Sequence, residues 1–298
     1  MRILRKPATA AAVLTTTLTA ACATLSTSLD DAAAPIAAPA GLVTYGGFTG
    51  PESAVYDAAY DRYIVTNVGV FGGPGDGYIT TLTPEGAVIE RAWIASSEDA
   101  PLDNPLGSAI HDSKLYVADG ASVRIFDLDT AAPLDVLTVE RSTGFNDIAI
   151  AEDGTIYATE TGQNDPATWN IHRIAPDGTS SVFASGAVLA QPNGIEIDAA
   201  GDIVVVGLGA TDINVFSPAG LLIRTIALPV NGNDGLVVLD DGYIVSSIYT
   251  GDVMRAHADG SVETLTHADA AASIALDTSR NRLIIPQLLV HSVTLLDL

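Results

Sequence analysis

The chain has 298 residues, 48% of them hydrophobic and 16% charged, with a formal net charge of −23. That is ample apolar material for a globular core, and so acidic a surface repels phosphate backbones and anionic lipid, which argues against nucleic acid as a partner. Solubility or a salty habitat accounts for the charge more simply than an acidic docking site does.

Taken in chain order, the first element is an export signal over residues 1–22. Arg2, Arg5 and Lys6 precede an apolar stretch, 8–21, that is too short to span a bilayer stably. Leu18-Thr19-Ala20-Ala21-Cys22 places small residues before the chain's single cysteine. This resembles a bacterial lipoprotein cleavage site, at which Cys22 would be lipidated; ordinary cleavage after Ala21 or Ala23 is the alternative. In either case the mature fold has no disulfide. The expected location is the periplasm of a bacterium or its membrane, reached only through that lipid anchor. Residues 23–40, rich in Ala and Pro, read as a flexible tether.

From Gly41 onward the chain repeats. Each copy has a leading polar position, a short apolar alternation, an Asp/Gly turn and a second strand, as in Gln191-Pro192-Asn193-Gly194-Ile195-Glu196-Ile197-Asp198. The leading positions are Glu52, Gly107, Asn146, Asn193, Asp234 and Ala272, spaced by 38 to 55 residues. Strands repeating at that period predict a β-propeller. Blade 1 is expected at 53–57, 62–68, 78–83 and 88–94, and blades 2 to 5 follow with four strands each. The last blade has only three strands, 274–276, 282–285 and 291–296, before Leu298. The unassigned strand 42–45 completes it, so the expected fold is an all-β, six-bladed propeller over 41–298, closed by an N-terminal strand joining the last blade. Closure removes the exposed edge that a linear array keeps.

In a propeller the starts of the innermost strands converge at one mouth of a central channel. Glu52, Asn146, Asn193 and Asp234 would meet there as two carboxylates and two amide oxygens. Such a hard-oxygen set suits a divalent cation, calcium first, with magnesium, manganese or zinc as alternatives. Asn193-Gly194 and Asp234-Gly235 also read as simple turn formers, but Glu52 is a poor turn residue. Asp147 is expected to point the other way, into a turn or packing role.

Gly50-Pro51-Glu52, Phe145-Asn146-Asp147, Gln191-Pro192-Asn193-Gly194 and Asn233-Asp234-Gly235, in this order, resemble the SMP-30/gluconolactonase/LRE-like six-bladed propellers over about residues 42–298. The resemblance implies a divalent ion held by Glu52, Asn193 and Asp234. It makes Asn146 a ligand in the phosphotriesterase-like branch and a neighbour of the substrate in the lactonase branch. It further implies metal-assisted hydrolysis of a lactone or ester, with Asp234 as general base or nucleophile. Sugar lactonases of the family often carry an arginine where this chain has Gly144, and Arg141 is the nearest substitute, which puts gluconolactone specificity in doubt. Phe71 and Trp169, on the two longest loops expected around the mouth, are candidate pocket walls or loop anchors. The five histidines form no expected pair, and no Gly-x-Ser-x-Gly motif points to a serine hydrolase. The expected partner is a small-molecule substrate and the expected state a monomer. Two other readings stay open: a non-catalytic ligand- or protein-binding propeller with a structural metal, and an organophosphate hydrolase, lyase or cyclase on the same scaffold.

Overall fold

The computed structural model describes residues 35–37 and 41–298, apart from Pro74. The export signal, Cys22 and the tether up to residue 34 lie outside the described residues. The chain enters through β1 (Pro35–Ala37) and β2 (Leu42–Gly46) and then lays down five four-stranded blades. Blade 1 is β3 (Pro51–Asp57), β4 (Arg62–Asn67), β5 (Tyr78–Leu82) and β6 (Val88–Ala95). Blade 2 is β7 (Pro105–His111), β8 (Lys114–Asp119), β9 (Ser122–Asp127) and β10 (Pro133–Thr138). Blade 3 is β11 (Ile148–Ile150), β12 (Ile156–Glu160), β13 (Asn170–Ile174) and β14 (Ser180–Ser185). Blade 4 is β15 (Pro192–Ile197), β16 (Ile203–Gly207), β17 (Asp212–Phe216) and β18 (Leu222–Ala227). Blade 5 is β19 (Asn233–Leu239), β20 (Gly242–Ser247), β21 (Asp252–His257) and β22 (Val262–His267). The chain closes with β23 (Ala275–Asp277), β24 (Arg282–Gln287) and β25 (Ser292–Asp297). Among the described residues the only helices are three short 3-10 turns, and none is long and apolar enough to cross a membrane.

Blade 6 runs β23-β24-β25-β2-β1 from the inside outward, so the N-terminal strand completes the ring as expected. Leu42 pairs with Leu296 and Tyr45 with Val293. Residues 35–37, expected to belong to the tether, instead pair with 43–45 as a fifth strand. An edge strand tolerates Pro35 because one side of its backbone needs no partner.

Burial explains which strands alternate and which do not. Second strands lie between neighbouring blades and are buried on both faces, so β16 reads Ile-Val-Val-Val-Gly with every residue buried. Fourth strands face solvent, and β18 is exposed over its first four residues. Cores therefore form between blades: Val204, Val206, Leu236 and Val245 between blades 4 and 5, and Tyr63, Leu82, Ile284 and Val293 across the closure. Each fully buried side chain of this size contributes about 1.5–3 kcal/mol. Polar contacts add to the closure. Tyr63 Oη donates to Asp277 Oδ2 at 2.9 Å, and Arg280 holds both oxygens of Asp61 at 2.7 Å as well as Asp277.

One feature of the inner strands positions everything at the mouth. Pro51 pairs with Asn67 but Ala54 with Val65, so Glu52 and Ser53 together oppose Thr66. The same extra residue appears in β7, β15 and β19, and Asn146 and Asp147 likewise both oppose Thr159 just before β11. Such bulges re-aim side chains at sheet ends. Their register also corrects the second leading position: Pro105 pairs with Asp119 and Ser108 with Val117, which makes Leu106, not Gly107, the counterpart of Glu52.

Candidate functional site

Two recurring devices hold the bulges. In blades 1, 3 and 5 a hydroxyl on the second strand accepts the hydrogen bond of the bulge's second N–H and donates to the next blade. Thr159 Oγ1 accepts from Asp147 N at 3.0 Å and donates to Asn193 O at 2.6 Å, and Ser246 does the same between Gly235 N and Ala272 O. Thr66 joins Ser53 N to Leu106 O. The second device is a polar side chain at the end of the second strand that pins the loop three residues before the leading position. Asn67 accepts from Thr49 N, Asp119 from Asp103 and Asn104 N, and Glu160 from Thr143 N. Ser247 and Gln287 donate to the carbonyls of Asn231 and Asp269. In blade 4 the position is Gly207, and the loop 189–191 packs directly on its backbone.

Against this scaffold Glu52, Asn193 and Asp234 are buried, each 4% exposed or less, and Asn146 is half-buried. Asn193 Nδ2 donates to Asp234 Oδ2 at 3.2 Å. Glu52 Oε2, Asn146 Oδ1, Asn193 Oδ1 and Asp234 Oδ1 are then left without any hydrogen-bond partner. A buried acceptor with no donor costs about 1–3 kcal/mol, more when charged, and four such oxygens from four blades share one end of the channel. An oxygen set of this kind is what a hard divalent cation completes, so these residues fit one. Among the described residues no three His, Cys, Asp or Glu side chains group within a metal's reach; the set reaches four donors only through its two amides.

Charge supports the same reading. Burial pushes the Glu52 carboxyl well above its usual range, and the nearby Asp234 and Asp147 push it further. Burial followed by Asp147 raises Asp234, partly offset by the bond from Asn193. Asp147 and Glu196 belong to the same channel, and neither stood out in the sequence as a channel carboxylate. Asp147 Oδ1 accepts from Ile148 N at 2.9 Å, while Oδ2 faces Ile195 N at 3.4 Å and Ser273 Oγ at 3.5 Å, so it points across the channel and not into a turn. Burial lifts it to about 7. Burial and Asp147 lift Glu196 to about 8. Below the donors both carboxylates line a cavity of about 420 Å³ that, among the described residues, no Lys, Arg or His side chain lines.

The remaining expected site residues lie farther out. Arg141 is exposed on the loop leading to Asn146. Phe71 is 71% exposed on the loop between β4 and β5, on the mouth side. Trp169 is an anchor: its Nε1 donates to Gln163 O at 2.6 Å and its ring packs on the core around Leu189 and Ile171. The histidines do not pair with one another. His172 Nε2 lies 2.7 Å from Glu160 Oε2, and His291 Nδ1 accepts from Gly50 N at 3.0 Å.

No protein-family model matches the chain, and no curated protein shows significant sequence similarity to it. Solved structures do share its fold. A gluconolactonase from Xanthomonas campestris superposes with TM-score 0.64 at 19% identity, over 86% of this chain and 89% of the other. A second protein described as a gluconolactonase gives TM-score 0.65 at 16% identity, over 87% and 93%. Virginiamycin B lyase from Staphylococcus aureus gives 0.63 at 12% identity, over 86% and 99%. The chain is thus a six-bladed β-propeller whose fold neighbours include gluconolactonases and a lyase, with a buried oxygen set at one mouth.

Proposed function

We propose that the protein is a metal-dependent hydrolase of a lactone or ester, working at the channel mouth. The observation that carries the reading is the set of four partnerless oxygens on Glu52, Asn146, Asn193 and Asp234. These residues would hold the cation, calcium first and magnesium, manganese or zinc as competitors. When bound, it would polarise the substrate carbonyl and offset the charge of the oxyanion.

The chain's own groups supply the rest. Asn193 Nδ2 fixes one oxygen of Asp234, so the other would face both the cation and the water or carbonyl beside it, to take a proton or to attack. Asp234 is the better base because the bond from Asn193 orients its carboxylate, whereas Glu52 has no such partner and serves as a ligand. The fold likeness to gluconolactonases agrees with this reading, and the export signal would set the activity in the periplasm or on a lipid anchor at its membrane.

The test is hydrolysis of a lactone, ester and organophosphate panel by the full chain, with added calcium and after chelation. Loss of activity on chelation and in Asp234→Asn is expected. Activity that survives both removes the proposed site. The likeness to a lyase keeps elimination as the second reading: hydrolysis in ¹⁸O water labels the product acid, and elimination leaves it unlabelled.

A further inference from the structure

Resting on that hydrolase reading, we infer that the substrate carries an apolar alkyl or aryl body, and that this body lies over blades 5, 6 and 1. The register of the inner strands puts the loops between second and third strands at the mouth, because Asn67, Ser247 and Gln287 end their strands opposite the residues that precede the leading positions. Three such loops, on consecutive blades, present large apolar side chains to solvent. They are Val70 and Phe71 of blade 1, Tyr249 of blade 5, and Leu289 and Val290 of blade 6, from 48% to 71% exposed.

These side chains sit on backbone that is held. The blade 1 loop is pinned by Val70 N to Asp76 Oδ2 at 2.8 Å, Gly72 N to Asn104 Oδ1 at 2.7 Å and Gly75 N to Asp103 Oδ1 at 2.8 Å. The turn carrying Leu289 is tied by Leu288 N to Ala270 O at 3.0 Å and by His291 to Gly50. Tyr249 lies against Gly232, two residues before Asp234, where φ is +73° and any side chain would strike its ring. Exposed apolar groups on a fixed frame around a polar centre mark a ligand-binding rim.

The loops between second and third strands on the other half are different, although the turn entering blade 4 there also exposes Val188. The loop between β12 and β13 exposes Gln163, Asn164 and Asp165, and the turn at Gly120 and Ala121 carries no large side chain. Arg141 is exposed on that side as well. Ester or lactone hydrolysis creates a carboxylate, which Glu52 and Asp234 of blades 1 and 5 repel and which the amide half of the donor set, with Arg141, tolerates. The uncharged part of the substrate is left to the apolar half. A polyhydroxylated lactone lying there would bury hydroxyls against Val70, Phe71, Leu289 and Val290, none of which can hydrogen-bond through its side chain. The rim therefore selects against sugars.

Two homologous series test this on the full chain with calcium. γ-Lactones with side chains of one to eight carbons report turnover, and 2-alkylcyclopentanones of the same lengths, which hold a carbonyl but no scissile ester bond, report binding by titration calorimetry. Affinity for both should tighten about two- to fourfold per methylene. The double variant Phe71→Ser, Leu289→Ser should flatten that dependence, while Leu221→Ser, a similarly exposed change in the turn between β17 and β18 at the end away from the mouth, should leave it intact. Length-dependent binding that is flattened by the double variant, without lactone turnover, upholds the apolar rim and sinks the hydrolase reading. Turnover with no length dependence, or with a dependence untouched by the double variant, overturns the rim. Neither turnover nor length-dependent binding overturns both.

Discussion

The buried carboxylates make the stability of the metal-free protein fall as pH rises, and Asp147 shows by how much. Its carboxyl titrates at 3.8 in the unfolded chain and at about 7 in the fold. Below pH 4 both states hold the proton and the group has no effect. Between about 4 and 7 the unfolded chain releases it while the fold keeps it, so each pH unit costs the fold about 1.4 kcal/mol. The total reaches roughly 4 kcal/mol by neutral pH, on the order of 10 °C in melting temperature for a domain of this size. Glu196, lifted to about 8, adds in the same direction. Carboxyls held low, such as Glu160 and Asp277, contribute stability that is lost only below their usual range, so they stay constant above pH 5. The assay is a series of thermal melts in chelator from pH 5 to 8, with Asp147→Asn and with calcium added back. A falling melting temperature is expected, a shallower fall in Asp147→Asn, and a calcium-induced gain that grows with pH. A metal-free melting temperature that stays level or climbs over this range refutes the charged-channel reasoning.

Three further outcomes follow from the contacts. Asp234→Asn should lower turnover about a hundredfold or more and shrink the calcium-induced rise in melting temperature; an unchanged rise would take Asp234 out of the ligand set. Thr159→Val removes the hydroxyl between Asp147 N and Asn193 O, so it should cost about 1–3 kcal/mol in urea unfolding and weaken calcium binding measured by titration. Thr44→Pro breaks the pairing of β2 with β25 at its middle. It should lower stability by about 3 kcal/mol or more and raise the protease sensitivity of blade 6, read by limited proteolysis.

The blade pattern was legible because its signals are local. Turns such as Glu152-Asp153-Gly154 and Asp240-Asp241-Gly242 need the conformations that Gly and Asp supply, and the strands between them alternate or run apolar. The missing sixth-blade strand followed from simple counting. The bulges were not legible, since each sits at the first residues of its strand, where no alternation precedes it to show the change of phase, and the repeat therefore points to Gly107 where Leu106 stands. Glu196 was hidden for a different reason. In Ile195-Glu196-Ile197 it looks like the solvent side of an ordinary strand, but in an innermost strand that side is the channel. A carboxylate three places after a leading residue was the available signal. Asp147 turns across the channel because the bulge, not the plain alternation, sets its direction. The short strand at 35–37 lies in an Ala/Pro-rich stretch that carries no strand pattern at all.

The pairing of β2 with β25 joins residues about 250 positions apart. Contacts of such sequence separation form late, because the chain between them must be ordered before their gain is realised. Blades 1 to 5 can each assemble from neighbouring hairpins, but the sixth cannot exist until the last strand has been made and the first has found it. Until then β25 presents an unpaired edge, open to capture by another chain. Folding yield should therefore respond to changes in residues 42–46 more steeply than equilibrium stability does, with the excess appearing as aggregate.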